Sequence, residues 1–171
     1  MLDSSITIIL VEPESVDNIG AVARAMKNMG LSDLRLVKPP ANWKARGKKM
    51  AVNASDVLWS ASVYKSLKEA ISDCHVAVAL SRRHGTMRRE FVPFQKTIQT
   101  IGKKSKKWKK AFVFGKESKG LSNDDLSLCD WMTTIPASPK YGSINLAQSV
   151  MIVAFSLYAP KMLNADGETE D

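Results

Sequence analysis

The sequence predicts an α/β fold, a mainly parallel sheet with helices on both faces. Three observations predict it. Compact, mainly apolar runs at 6–11, 34–37, 75–80, 111–114 and 132–135, the first of them β-branched, have the length of strands, several of them buried on both sides. Between them stand runs whose apolar residues recur at helical spacing. At three places, small or polar residues join the end of a strand-like run to the start of a helix-like one, as alternating strands and helices require.

The elements follow in order. Residues 6–11 form a buried strand. A helix over 18–29 carries Ile19, Val22, Ala23, Met26 and Met29 on one side, and Gly30 sits where a C-terminal cap belongs. The strand at 34–37 is stopped by Pro39-Pro40. Residues 42–49 are expected to be a basic surface loop and 50–55 a short helical turn. Residues 63–71 are expected to be a helix with Tyr64, Leu67, Ala70 and Ile71 on one face. Strands follow at 75–80 and 111–114. Ser122 caps a helix over 122–128, with Asp124 and Asp125 in its first turn, where the helix dipole favours them. A short strand at 132–135 precedes an apolar helix over 146–158, which Pro160 is expected to end. Residues 1–160 are read as one domain and 161–171 as an acidic polar tail.

The 171 residues suffice for one domain with a real core, and the 44% hydrophobic share is that of a globular chain. No apolar run approaches the ~20 residues of a membrane helix, so no membrane partner is expected. The first five residues carry an acid and no basic region of the kind that opens a signal peptide. Cys74 and Cys129 show no metal spacing, so no metal is expected. They are read as reduced thiols of a cytoplasmic protein.

The formal net charge is +8, and it is unevenly spread. Residues 82–110 hold eleven Lys or Arg against one acid, Glu90, and residues 35–49 hold six against none. Trp108 stands inside the densest run. Residues 166–171 hold four acids and no base. Any one lysine run can be a solvated face, but several separate basic stretches point to a polyanion, RNA or DNA.

The chemistry concentrates in three segments. In Phe114-Gly115-Lys116-Glu117-Ser118-Lys119-Gly120-Leu121, glycines after a strand allow a tight turn and close backbone approach to a ligand, and ligands of open α/β sheets collect beyond the carboxyl ends of strands. The spacing is GxExxG, not the GxGxxG of dinucleotide folds, and no acid follows on the next strand. A nicotinamide enzyme is therefore disfavoured. In Ile135-Pro136 and Tyr141-Gly142-Ser143-Ile144-Asn145-Leu146-Ala147, Ser143 and Asn145 are natural N-caps opening the last helix, and simple capping would by itself explain Ser143. Two such junctions would make a small concave site lined by backbone amides. In the first segment, residues 17–30, Asn18 and Arg24 lie six residues apart and so on different sides of their helix.

In order and content, N-I-G-A-V-A-R-A-M-K-N-M-G, F-V-F-G-K-E-S-K-G-L-S-N-D-D-L and I-P-A-S-P-K-Y-G-S-I-N-L-A resemble the motifs of the SpoU branch of the SPOUT RNA methyltransferases, in particular TrmJ-type tRNA 2′-O-ribose methyltransferases. The resemblance covers residues 6–159. It implies the α/β trefoil-knot fold and S-adenosyl-L-methionine as cofactor. By position, it implies cofactor contacts at Leu80, Ser81, Arg82, Gly115, Gly120, Ile135, Gly142, Ser143, Ile144 and Leu146. It implies a catalytic set of Asn18, Arg24, Glu117, Ser143 and Asn145, and a homodimer with the substrate site at the subunit interface. Ile144 and Gly142 depart mildly from the motif, which more commonly has Leu and Ser. Full-length TrmJ-type enzymes continue into a helical extension that helps grip tRNA, where this sequence has only a short acidic stretch. The activity expected is methyl transfer to a ribose 2′-oxygen of structured RNA, first a cytidine or uridine of the tRNA anticodon loop and second ribosomal RNA. The rival is a non-catalytic RNA-binding dimer that keeps the knot as a scaffold. His75 and His84 have no evident catalytic partner.

Overall fold

The computed structural model describes the backbone of residues 3–82 and 90–165 and side chains as far as residue 162. His84, part of the basic stretch 82–110 and the acidic residues 166–171 lie outside the described residues. The order of elements is β1 Asp3–Val11, α1 Val16–Asn28, β2 Leu31–Val37, α2 Trp43–Ala51, a 3-10 turn Val52–Ala54, α3 Ser55–Trp59, β3 Ser62–Tyr64, α4 Leu67–Ala70, β4 Val76–Leu80, β5 Glu90–Phe91, α5 Phe94–Gly102, β6 Lys110–Phe114, α6 Asn123–Leu128, β7 Trp131–Thr133 and α7 Leu146–Ala165.

The strands form one sheet in the order β3-β2-β1-β6-β4-β7-β5, and every pairing is parallel. Parallel strands are buried on both faces, and the pleat divides them into two cores. In register across β1, β6 and β4, Ile8, Phe112 and Val78 point to one face. There they meet Ile19, Val22 and Met26 of α1, Ile98 and Ile101 of α5, and Val150, Val153 and Leu157 of α7. Their neighbours Ile9, Val113 and Ala79 point to the other face, against Leu67 and Ala70 of α4 and Leu126 of α6.

Helix α1 and α2 cross closely at two glycines. A Cβ on Gly20 would overlap the carbonyl of Gly47, so the glycine of the first motif is required by the packing of two backbones. Two charged side chains are buried in the sheet, Arg35 on β2 and Lys110 at the start of β6. Arg35 on β2 is 5% exposed, and its guanidinium donates to Asp33, Asp73 and the Ala70 carbonyl while lying over Tyr64. Burial disfavours the charge, but the two carboxylates outweigh it and hold the pKa of Arg35 above its ordinary value.

Four expectations are corrected. Residues 42–49 are not a loop but most of α2. Its inner face is Trp43, Gly47 and Ala51, too small and mixed to show an apolar period, while Lys and Arg are good helix formers. Residues 63–71 are not one helix. Val63 and Tyr64 pair with β2 as β3, and Ser66 then caps the single turn of α4 by accepting from the Glu69 N–H. Pro160 does not end α7, which runs to Ala165. It lies on the exposed side of the helix, where water can serve the carbonyl left without a proline N–H. Arg35, counted among the cations available to phosphates, is instead held inside by its aspartates. The 3-10 turn Val52–Ala54 falls within the helical turn expected at 50–55. Two very short strands (β3, β5) and helices α3 and α5 had no sequence expectation of their own.

Candidate active site

The site is built where the sheet changes direction. From β1 the chain passes through α1 to β2 on one side. From β6 it passes through α6 to β7 on the other. Adjacent parallel strands whose connections diverge leave a crevice at their carboxyl ends. The loops after β1 and β6 meet in that crevice.

The loop after β6 is a closed elbow. Lys116 and Gly120 form a bridge, with the Gly120 N–H donating to the Lys116 carbonyl at 2.8 Å. Gly120 has φ 69°, in the left-handed region that glycine adopts without strain. A Cβ on Gly115 would overlap the backbone of Gly120 and Leu121. The elbow thrusts Glu117 toward the N-terminus of α1. Its carboxylate accepts from the N–H of Glu14 at 2.8 Å, the N–H of Ser15 at 3.2 Å and the Asn18 side-chain amide at 3.1 Å. Partial burial opposes the charge, but these donors prevail and hold the carboxyl below its ordinary pKa. Glu117 is therefore ionised at neutral pH, placed where the helix dipole favours an anion.

Asn145 completes a chain through all three motifs. Its Oδ1 accepts from the N–H groups of Ala147 at 2.9 Å and Gln148 at 3.3 Å, which makes it the N-cap of α7. Its Nδ2 donates to Asn18 Oδ1 at 3.1 Å, and Asn18 Nδ2 donates to Glu117. One residue from each segment, 99 and 127 positions apart, thus lies in one hydrogen-bonded row.

The residues expected at the cofactor lie along the same sheet edge. Leu80 ends β4, Gly115 follows β6 and Ile135 follows β7, on strands that neighbour one another. The Ser81 N–H donates to the Thr133 carbonyl at 3.0 Å, and Thr134 Oγ1 donates to the Ser81 carbonyl, tying the ends of β4 and β7 together. Leu80 and Ile135 pack against the core cluster that contains Phe114 and the buried Leu146. Gly142 and Ile144 are half-buried in the run into α7, and Gly120 is exposed on the elbow. Arg82 is exposed at the edge of the described residues.

Two expected catalytic residues stand apart. Arg24 is exposed on α1 and makes no hydrogen bond or ion pair among the described residues. Ser143 is exposed and likewise unpaired among them, and the capping it was credited with belongs to Asn145. The sequence reading missed Thr133. It is fully buried at the end of β7, and its hydroxyl has no partner among the described residues. An unsatisfied buried hydroxyl carries a cost of about 1–3 kcal/mol that a ligand's polar atom can relieve. A strand-end edge with an apolar floor of Leu80, Ile135 and Leu146, a glycine elbow open at Gly120 and a buried hydroxyl with no partner among the described residues fits a nucleoside-bearing cofactor. The signal that could have found Thr133 is its place two residues before Ile135.

Residues 5–155 match the model of the SpoU rRNA Methylase family. The tRNA (cytidine/uridine-2′-O-)-methyltransferase TrmJ of Pectobacterium atrosepticum is 39% identical over 157 residues, 92% of this chain and 65% of the relative. Across the first curated relatives the chain spans about 60–67% of their length. Among solved structures, a probable methylase family protein from Haemophilus influenzae Rd KW20 superposes with a TM-score of 0.86 at 31% identity, covering 99% of this chain and 72% of that one. TrmJ from Z. mobilis ZM4 superposes with a TM-score of 0.81 at 35% identity, covering 96% and 70%. The all-parallel sheet and these superpositions bear out the expected α/β knot architecture. With the family model spanning most of its length and motifs from three distant segments meeting at one sheet edge, the chain belongs to the SpoU methylase family.

Proposed function

We propose that this chain is the S-adenosylmethionine-dependent catalytic part of an RNA 2′-O-ribose methyltransferase whose substrate is a pyrimidine in the anticodon loop of tRNA. The observation that carries the reading is the Asn145–Asn18–Glu117 row at the carboxyl edge of the sheet. Family membership and the named activity of the TrmJ relatives support the choice of reaction and RNA.

When bound, S-adenosylmethionine supplies an electrophilic methyl group on a sulfonium. Leu80, Ser81, Arg82, Gly115, Gly120, Ile135, Gly142, Ser143, Ile144 and Leu146 would hold it, with the Thr133 hydroxyl as an added polar contact. The remaining work is positional. A ribose hydroxyl must be held in line and kept from water, and such orientation can supply much of the rate. Arg24 is assigned to the RNA phosphate and the attacking oxygen, because a guanidinium offers a fork of donors and stays charged. Ser143, exposed at the mouth of the site, is assigned to the substrate ribose. Glu117 is assigned to fixing Asn18 and the elbow. Its lowered pKa makes it a poor proton acceptor near neutral pH.

The working unit is proposed to be a homodimer in the cytoplasm, where tRNA is modified. A site shared between two protomers accounts for an Arg24 that stands free of the row in its own protomer. Among the described residues no helix is long and apolar enough to cross a membrane.

Isothermal titration with S-adenosylmethionine and with its demethylated product tests the reading. Saturable binding of both, lost in Gly115→Val, is the expected result. No binding to the wild-type chain would favour the non-catalytic scaffold.

A further inference from the structure

The densest lysine run of the chain is not at the active-site edge. Residues 103–109 connect α5 to the first residue of β6, and they lie at the amino edge of the sheet. The His75 N–H donates to the Lys109 carbonyl at 2.8 Å, and the Lys109 N–H donates to His75 Nδ1 at 3.0 Å, which pins the turn to the start of β4. Strands β4 and β6 run from this edge to Leu80 and Phe114. Five residues of strand separate the two edges by roughly 15 Å.

The turn is built to present cations. Trp108, 41% exposed, stacks on His75 with ring centroids 5.4 Å apart and holds Lys104 Nζ 4.8 Å from its own ring. Lys109 is neutralised by Asp73 at 3.0 Å, and Lys110 is buried with its ammonium on the Ser105 carbonyl. Those two anchor the segment. Lys103, Lys106 and Lys107 are exposed and make no ion pair or side-chain hydrogen bond among the described residues. From Phe91 to Lys116 the chain has no carboxylate. The patch continues along the outer side of α5, where Lys96, Gln99, Thr100, Lys103 and Lys104 line an open concavity of about 470 Å³. Cations fixed around an aromatic stack, backed by amide and hydroxyl groups and with no carboxylate in the segment itself, suit a run of phosphates.

We propose that this amino-edge surface is a second RNA-docking site, which grips the sugar–phosphate backbone of a folded RNA away from the nucleotide at the active site. The choice of RNA rests on the function proposed above. The placement implies a substrate larger than the loop being modified, since one RNA must reach both edges.

The test replaces Lys103, Lys104, Lys106 and Lys107 together by Gln, and in a second variant by Arg. Binding of purified total tRNA is followed by fluorescence anisotropy from 50 to 300 mM salt. The Gln variant is expected to bind at least tenfold more weakly at low salt, with a log–log salt slope shallower by about 2–4, and the Arg variant to match wild type. Unchanged affinity and slope in the Gln variant would overturn the proposal, as would an equal loss in the Arg variant. Titration of the wild-type chain with S-adenosylmethionine tests the enzymatic reading separately. If that binding is absent, the enzymatic reading fails and the tRNA measurements still decide whether the patch docks RNA.

Discussion

At the scale of single residues, the row from Asn145 through Asn18 to Glu117 separates residues that shape the site from those assigned to act in it. Asn145 has two duties. Asn145→Ala should destabilise the fold by about 1 kcal/mol through loss of the α7 cap, and should also reduce methyl transfer. Asn145→Ser keeps a cap but not the amide to Asn18. It should restore the melting temperature without restoring the rate, and recovery of both would remove the Asn145–Asn18 link from the account. Arg24 makes the opposite case. Among the described residues no hydrogen bond or ion pair holds it, so Arg24→Ala should leave the melting temperature and cofactor affinity unchanged while methyl transfer falls by two orders of magnitude or more. Normal turnover in that variant would remove Arg24 from the mechanism. At Thr133, Thr133→Val swaps an unsatisfied hydroxyl for a methyl. It should match or exceed wild-type stability but weaken cofactor binding; a variant that loses stability would show that the hydroxyl already has a partner.

At the scale of elements, the two glycines where α1 and α2 cross answer to different constraints. Gly20→Ala pushes a Cβ into the Gly47 carbonyl and should cost about 1–3 kcal/mol by forcing α1 and α2 apart. Gly47→Ala, whose Cβ would meet only ordinary contacts, should be neutral or stabilising in helix α2. Chemical denaturation of the two variants checks the asymmetry. The elements also show what the sequence made legible. The long strands were plain as compact apolar runs of strand length, the first helix by the spacing of its apolar residues and the last by the length of its apolar run, and Ser122 caps α6 as expected. Helix α2 was not, because its contact with α1 depends on the absence of a side chain at Gly20, against which the Gly47 carbonyl packs, rather than on an apolar stripe of its own. The edge strand β3 has only three residues, too few to display an alternation. Of the site, the three segments were legible as strand-to-helix junctions. The row that joins them was not, because its members are about a hundred positions apart and their meeting depends on strand order.

At the scale of the whole molecule, two charge systems govern behaviour in solution. The buried Arg35 with Asp33 and Asp73 is internal. Contact with Arg35 holds the Asp73 carboxyl well below the usual aspartate range, so its contribution to stability is fully present above the ordinary value of about 3.9 and is lost as pH falls toward the folded one. The melting temperature should stay flat from pH 8 to 5 and fall below about pH 4, with a shallower fall in Asp73→Asn. The surface lysines at the amino edge are external and screened by salt, so they should affect RNA affinity and leave the melting temperature alone. The proposed methyl-transfer site stands apart from both, at the carboxyl edge of the parallel sheet. The most direct measurement incubates the chain with tritiated S-adenosylmethionine and total tRNA, then maps the labelled nucleoside. The account predicts label on the ribose 2′-oxygen of a pyrimidine in the anticodon loop, abolished by Arg24→Ala. Label on a base, or no label from a chain that binds the cofactor, would contradict it.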